Sequence, residues 1–120
     1  LERLNYTFQQ PWLTIENTDL RDVSGLDNLD VTGDFVDIID NARMTTLPQL
    51  RGTPRSIELR ANAELSDVSA LNSIDAVIEW LSIQDNPKVK RCRLEAILDG
   101  MTLGGEAEVR LSGNSTRPCN

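Results

Sequence analysis

Acidic side chains are the most numerous groups in this sequence that could do chemistry, and they are concentrated in one segment. Residues 15–40 carry eight of the nineteen aspartates and glutamates, opposed by a single arginine. Their spacing does not match the Asp-x-Asp-x-Asp-Gly loop by which calcium hands bind their ion. We therefore interpret the segment as a solvated acidic flank and predict no metal site. The aspartates weighed as ligands are Asp27, Asp30, Asp34 and Asp37.

Several catalytic arrangements are excluded by residue type. The chain contains no histidine, which removes Ser-His-Asp and Cys-His catalysis and every zinc site that uses histidine. Glycoside hydrolysis needs only two carboxylates, but no sequence context singles out a pair among nineteen. The sequence thus predicts a protein that is not an enzyme and needs no cofactor, with a carboxylate-based hydrolase as the weakest alternative.

The charge balance restricts the class of partner. A formal net charge of −7 disfavours nucleic acid and anionic membranes as partners, and an acidic flank suits a protein that has a basic patch. No apolar run reaches the length of a membrane span, so no membrane insertion is predicted. One short basic cluster is interpreted as a solvated loop. It consists of Lys88, Lys90, Arg91 and Arg93.

An asparagine follows each of several short apolar stretches and reveals an internal repeat. IELRANAEL (57–65) aligns with DIIDNARM (37–44), LSIQDNPKV (81–89) and VRLSGNS (109–115), and a shorter first unit is LTIENTDL (13–20). The asparagines are separated by 24, 21, 24 and 28 residues. Because an amide both donates and accepts hydrogen bonds, we predict that they satisfy buried backbone at the ends of strands. These residues are Asn17, Asn41, Asn62, Asn86 and Asn114.

The residues around each asparagine predict the elements that position it. Alternating apolar residues before it indicate a half-buried strand, and apolar residues at a three-residue spacing after it indicate a tight return segment. The inward strand positions would be Leu13 and Ile15, Val36 and Ile38, Ile57 and Leu59, Leu81 and Ile83, Val109 and Leu111. The pattern predicts a repeat solenoid, a right-handed parallel β-coil of about five short coils.

The two cysteines bracket a segment that differs from the repeats. Helical spacing of apolar residues over 93–101 predicts an amphipathic helix that covers the end of the core. Cys92 and Cys119 have 26 residues between them, and an even pair around such a unit predicts a disulfide, with two reduced cysteines as the alternative. A disulfide implies an oxidising compartment, so the protein is expected to be secreted, periplasmic or at the cell surface.

The chain is expected to form a single domain over residues 1–120. Within it, residues 1–12 form an N-terminal cap or lead-in, residues 13–91 the repeats, and residues 92–120 the C-terminal capping unit.

The repeat pattern resembles leucine-rich-repeat solenoids, and more closely the receptor L domain group. The resemblance is carried by VSGLDNLDVTGDFVDIIDNARMTTL (23–47) and by DNPKVKRCRLEAIL (85–98) leading to LSGNSTRPCN (111–120). It covers residues 12–119 but lacks the N-terminal cysteine cap of receptor L domains. The resemblance implies a surface-associated module of a bacterial or secreted protein rather than a hormone receptor.

The outward strand positions are the candidate binding residues. Solenoids bind partners on extended faces of this kind, so we expect a non-catalytic extracellular or cell-envelope module that recognises a protein or a glycan. The alternative is a structural spacer or one segment of a larger repetitive surface protein. The binding candidates are Asp37, Ile39, Glu58, Arg60, Ser82 and Gln84.

Overall fold

A six-stranded sheet forms one side of the protein and contains one strand from each repeat unit. The computed structural model describes residues 4–7, 12–18, 21, 29–104 and 107–117. In chain order the elements are β1 Leu4–Thr7, β2 Trp12–Glu16, β3 Leu29–Asp30, β4 Phe35–Ile39, β5 Leu50–Arg51, β6 Ser56–Arg60, a 3₁₀ helix Ser69–Ser73, β7 Ala76–Val77, β8 Trp80–Gln84, α1 Arg91–Asp99, β9 Thr102–Leu103 and β10 Glu108–Arg110. The strand order in the large sheet is β1-β2-β4-β6-β8-β10.

The register of the sheet follows from the repeat. Strand β1 pairs antiparallel with β2, and every later pair in the sheet is parallel. Val36 of β4 aligns with Ile57 of β6, which aligns with Leu81 of β8. All three side chains are buried, because residues that are aligned on neighbouring strands point to the same face of the sheet.

The return segments close the core from the other side. Strands β3 and β5 pair as one small parallel sheet, and β7 and β9 pair as another. The predicted three-residue spacing is seen as a run of buried apolar side chains, with the 3₁₀ helix in the third return segment. These buried residues are Met44, Leu47, Leu50, Leu65, Val68, Leu71 and Ile74.

The predicted fold class, a repeat solenoid built as a right-handed parallel β-coil, is wrong. The protein is a compact globule of 40 × 35 × 20 Å. Its radius of gyration is 13.2 Å. A globular domain of this length is expected to have a radius of about 13.6 Å. The return segments differ in length and form two small sheets, a 3₁₀ helix and an α-helix, so a regular coil does not propagate along the chain.

The C-terminal unit also departs from expectation. Val109 was predicted to point into the core but is 37% exposed, and Leu111 is only partly buried, because β10 lies at the edge of the sheet. Helix α1 begins two residues before the predicted start and packs Leu94 into the core. The predicted disulfide is not part of the described structure, because Cys119 lies outside the described residues. Cys92 is not a free cysteine.

Candidate functional site

Four of the five parallel strands, β4, β6, β8 and β10, end at a turn into the core that carries an asparagine side chain. Four such residues form what we call the asparagine corner: Asn41, Asn62, Asn86 and Asn114. The first three are 0% exposed, and Asn114 is half-buried.

Asn62 shows how each amide of the asparagine corner is used. Its Nδ2 donates to the carbonyl oxygen of Ile38 and to Oδ1 of Asn86, both at 3.0 Å. Its Oδ1 accepts from the backbone N–H and from Nδ2 of Asn41, at 3.1 and 3.0 Å. The same pattern recurs at the neighbouring asparagines. The asparagines therefore satisfy backbone groups that the turn removes from the sheet ladder.

Asn17 was predicted to belong to this series, but Thr18 occupies the equivalent position. The backbone N–H and Oγ1 of Thr18 both donate to Oδ1 of Asn41, at 3.2 and 2.7 Å. Asn17 instead has a φ of 54°, in the left-handed region. The residue before each asparagine of the corner has the same conformation. These left-handed residues are Asp40, Ala61, Asp85 and Gly113.

The side of the six-stranded sheet that faces away from the core is called here the outer sheet face. Strand register arranges its residues in rows that run across the strands. The first row contains Phe35, Ser56, Trp80 and Glu108; the second contains Thr14, Asp37, Glu58, Ser82 and Arg110; the third contains Glu16, Ile39, Arg60 and Gln84. All six predicted binding residues lie in the second and third rows.

The second row holds two carboxyl groups on adjacent strands. Asp37 lies directly opposite Glu58. Burial, helped by the charges of Glu58 and Glu16, raises the pKa of Asp37 to about 6, while Arg60 opposes this rise. The Glu58 carboxylate also pairs with the Arg60 guanidinium at 3.5 Å. Asp37 is therefore protonated near pH 6 more readily than an ordinary aspartate.

The first row contains an aromatic pair over a buried hydroxyl. The Phe35 and Trp80 rings have centroids 5.9 Å apart. Their strands are separated by β6, and two strand spacings are about 9.6 Å, so the rings lean toward one another above Ser56. Ser56 is 0% exposed, and its Oγ has no hydrogen-bond partner. The outer sheet face thus holds a buried polar group that the fold leaves unsatisfied.

A shallow cleft of about 280 Å³ lies on the outer sheet face beside this aromatic pair. Four of the predicted binding residues line it: Glu58, Arg60, Ser82 and Gln84. Asp37 and Ile39 do not line it, and Ile39 is only 8% exposed, so it offers little surface. We call this depression the outer-face cleft.

The outer-face cleft includes residues that were not among the predicted binding residues. Trp80, Glu108 and Arg110 also line it. Nε of Arg110 donates to the Glu108 carboxylate at 2.8 Å, and Gln84 links Ser82 to Ser112 through bonds of 2.9 and 2.7 Å. The signal for Trp80 was its position two residues before Ser82, on the same strand and the same face. The cleft thus joins an indole ring to charged and amide groups, which suits a partner with both apolar and polar surface.

The aspartates weighed as metal ligands lie in different surroundings where the structure describes them. Asp30 accepts hydrogen bonds from Thr32, which lower the pKa of its carboxyl group, and lies 3.8 Å from the Arg51 guanidinium. Asp34 is buried, with no partner for its Oδ2, whereas Asp37 lies on the outer sheet face. Asp27 lies outside the described residues. Within the described ranges, no three acidic, cysteine or histidine side chains converge as metal ligands.

No protein-family model, no curated protein and no solved structure matches this chain. The resemblance to receptor L domains therefore stays a prediction from the sequence. In the described part of the chain, no helix is both long enough and apolar enough to cross a membrane.

Proposed function

We propose that this protein is a non-catalytic recognition module that binds a protein or glycan partner on its outer sheet face. The observation that carries the proposal is the outer-face cleft, where the Trp80 ring lies beside two Arg–Glu pairs and the Ser82–Gln84 hydrogen bond. Tryptophan and arginine are the side chains that most often dominate binding interfaces.

The charge of the outer sheet face favours a protein with a basic surface over a glycan. Its described rows hold four carboxyl groups and two guanidinium groups. The six strands make the face about 24 Å wide, which is wide enough for a protein contact. Complementary charge raises the rate of association and selects against acidic partners.

A structural spacer is the alternative, and the ion pairs within the face support it. Glu58 pairs with Arg60, and Glu108 pairs with Arg110, so much of the charge is compensated without a partner. A carboxylate-based hydrolase has support only in the raised pKa of Asp37. That carboxyl group lines neither of the two clefts described in this protein, so the geometry favours a binding role.

We also propose a location outside the cytoplasm, in the secreted, periplasmic or cell-surface class. Cys92 is not a free cysteine, and oxidised cysteines persist in oxidising compartments. Fractionation of the native host, with an antibody against this chain, would detect the protein outside the cytoplasm. Detection of the whole pool in the cytoplasm would contradict this part of the proposal.

A binding panel tests the function directly. The full chain is immobilised and exposed to a set of basic proteins, a set of acidic proteins and a set of neutral oligosaccharides. We expect saturable binding of at least one basic protein, weakened at least tenfold by Trp80→Ala and reduced by added salt. Binding of an oligosaccharide that Trp80→Ala abolishes would assign the face to a glycan. Absence of binding by every probe, or binding unchanged in Trp80→Ala and Arg60→Ala, would support the spacer instead.

A further inference from the structure

A second and larger cleft lies away from the outer sheet face, between the 3₁₀ helix and helix α1. It has a volume of about 490 Å³, and none of its lining residues belongs to the six-stranded sheet. Three cationic side chains line it, namely Lys88, Lys90 and Arg93. We call it the cationic cleft. Its volume falls in the range of small-molecule binding sites, which is roughly 300–1,000 Å³.

The concentration of positive charge in this cleft contrasts with the rest of the protein. The chain has a net charge of −7, yet the cleft lining has three cations and one carboxylate, that of Asp67. Lys88 pairs with Glu64 at 3.0 Å, but both side chains are about half exposed, so the pair is screened by solvent. An excess of positive charge therefore remains available to an anion inside the cleft.

The start of helix α1 adds to this excess. Lys90 is the N-cap residue, no side chain caps the helix, and its first turn contains no acidic residue. Cations near a helix N-terminus oppose the helix dipole, so Arg93 and Lys90 are placed where they reduce helix stability. A bound anion would reverse that unfavourable interaction.

The opposite wall of the cleft supplies two neutral hydrogen-bonding side chains and one carboxylate. Ser69 and Asn72, from the 3₁₀ helix, line it together with Asp67. The Ser69 backbone N–H donates to Oδ1 of Asp67 at 2.9 Å, which fixes that carboxylate in place. Hydrogen bonds from Ser69 also lower the pKa of Asp67, so the group stays ionised and accepts hydrogen bonds. A fixed acceptor suits ligand hydroxyl groups, and it repels a ligand that is anionic throughout.

We propose that the cationic cleft binds an acidic saccharide, a sugar that carries a carboxylate or a sulfate group. The acid group would contact Lys88, Lys90 and Arg93, and the hydroxyl groups would bind Asp67, Ser69 and Asn72. Three apolar residues, Val68, Ala96 and Ile97, also line the cleft and suit the C–H face of a sugar ring. This site is independent of the outer sheet face and of the function proposed for it.

Calorimetric titration of the full chain tests the site with defined probes. The probes are digalacturonate, a sulfated heparin disaccharide, maltose as the neutral control, and tetraglutamate as a polyanion without sugar. We expect at least one acidic disaccharide to bind at least tenfold more tightly than maltose and tetraglutamate. Digalacturonate carries only carboxylates, whereas the heparin disaccharide carries a carboxylate and sulfates, so tighter binding of the heparin disaccharide would show that a sulfate contributes.

Substitutions at the N-terminal end of α1 distinguish binding inside the cleft from a general attraction of anions to the positive charge of this region. We expect Lys90→Gln with Arg93→Gln to weaken binding of the acidic disaccharide at least tenfold. Arg91→Gln removes one positive charge from the same helix end, where the double variant removes two. Because Arg91 does not line the cleft, we expect less than a twofold change. Equal losses in Arg91→Gln and in the double variant would overturn the proposal. So would equal binding of tetraglutamate, or no saturable binding of either acidic disaccharide.

Trp80→Ala tests whether the cationic cleft binds its ligand independently of the outer-face cleft. It should leave binding of the acidic disaccharide unchanged, since Trp80 lies on the other cleft. A loss of disaccharide binding in Trp80→Ala would overturn the assignment to the cationic cleft.

Discussion

The asparagine corner and the outer sheet face are both rich in polar groups, but they differ in how far hydrogen bonds satisfy the buried ones. In the corner, Asn41, Asn62 and Asn86 are fully buried, and each side chain both donates and accepts hydrogen bonds. On the outer sheet face, Ser56 has a buried hydroxyl without a partner, and Asp37 has a raised pKa.

Within one repeat unit, the asparagine corner has a structural role, and the outer sheet face is where we propose that a partner binds. A satisfied buried network makes the fold specific and leaves nothing for a ligand to gain. Unsatisfied groups and carboxylates that repel one another cost stability, and their presence on the outer sheet face agrees with the binding role that we propose for it. We therefore expect substitutions in the corner to destabilise the protein, and substitutions of the two perturbed groups of the outer sheet face, Ser56 and Asp37, to stabilise it.

Asn62→Ala should have the largest effect on stability. The change removes two hydrogen bonds donated by Nδ2 and two accepted by Oδ1, and it leaves buried backbone groups unsatisfied. We expect the free energy of unfolding in urea to fall by about 3–5 kcal/mol. Asn72→Ala removes the same side chain from an exposed site and should change it by less than about 0.5 kcal/mol. Equal effects of the two changes would contradict the structural role of the corner.

Asp37→Asn should stabilise the protein at neutral pH. The pKa of Asp37 is raised from 3.8 to about 6, so between these pH values the folded protein holds a proton that the unfolded chain releases. Stability should therefore fall as the pH rises through this window and stay lower above it. We expect Asp37→Asn to raise the free energy of unfolding by about 1–2 kcal/mol at pH 7, a modest value because solvent screens a half-buried group. The gain should be smaller at pH 4, because Asp37 of the folded wild type is then protonated and uncharged.

Chemical denaturation at several pH values checks this prediction, with exposed Asp75→Asn as the control. If the stability curves of the wild type and of Asp37→Asn run parallel from pH 4 to pH 7, the pKa of this carboxyl group is not perturbed.

Ser56→Ala and Ser82→Ala form a matched pair on adjacent strands of the outer sheet face. The Ser56 hydroxyl has no partner, whereas that of Ser82 donates to Gln84 at 2.9 Å. We expect Ser56→Ala to raise the free energy of unfolding by about 0.5–1 kcal/mol and Ser82→Ala to lower it by a similar amount. Thermal unfolding of both variants measures the sign, and a loss of stability in Ser56→Ala would mean that its hydroxyl is satisfied.

Ala61→Asn should have the smallest effect. Ala61 has a φ of 57°, and the equivalent residues in the other units are asparagine, aspartate and glycine, which tolerate this conformation better. We expect the variant to gain about 0.5 kcal/mol in urea unfolding. A less stable variant would show that the new side chain clashes at the corner.

Local patterns in the sequence predicted the strands, their parallel register and the asparagine positions, because these depend on a few neighbouring residues. The fold class could not be predicted in this way. The repeat constrains the strand and its corner, whereas the return segments have different lengths and adopt different structures. Thr18 was missed because a hydroxyl replaces the amide there, and the exposure of Val109 depends on its place at a sheet edge.

The candidate site was predicted only in part, for a similar reason. Because alternate residues of a strand point to the same face, the sequence predicted the outward positions of Glu58, Arg60, Ser82 and Gln84. Trp80 was not assigned a binding role, although it lies at the same period. The cationic cleft joins Lys88 and its neighbours to a return segment about twenty residues earlier, and no sequence pattern links the two.

The most direct test of the central claim compares two glutamates that each form an ion pair. Glu58 lies on the outer sheet face and pairs with Arg60, whereas Glu64 lies elsewhere and pairs with Lys88. The measurement is the dissociation constant of the tightest basic protein from the binding panel for each variant. We predict that Glu58→Ala weakens binding at least tenfold and that Glu64→Ala changes it less than twofold. Equal affinity of both variants and the wild type would contradict the assignment of binding to the outer sheet face.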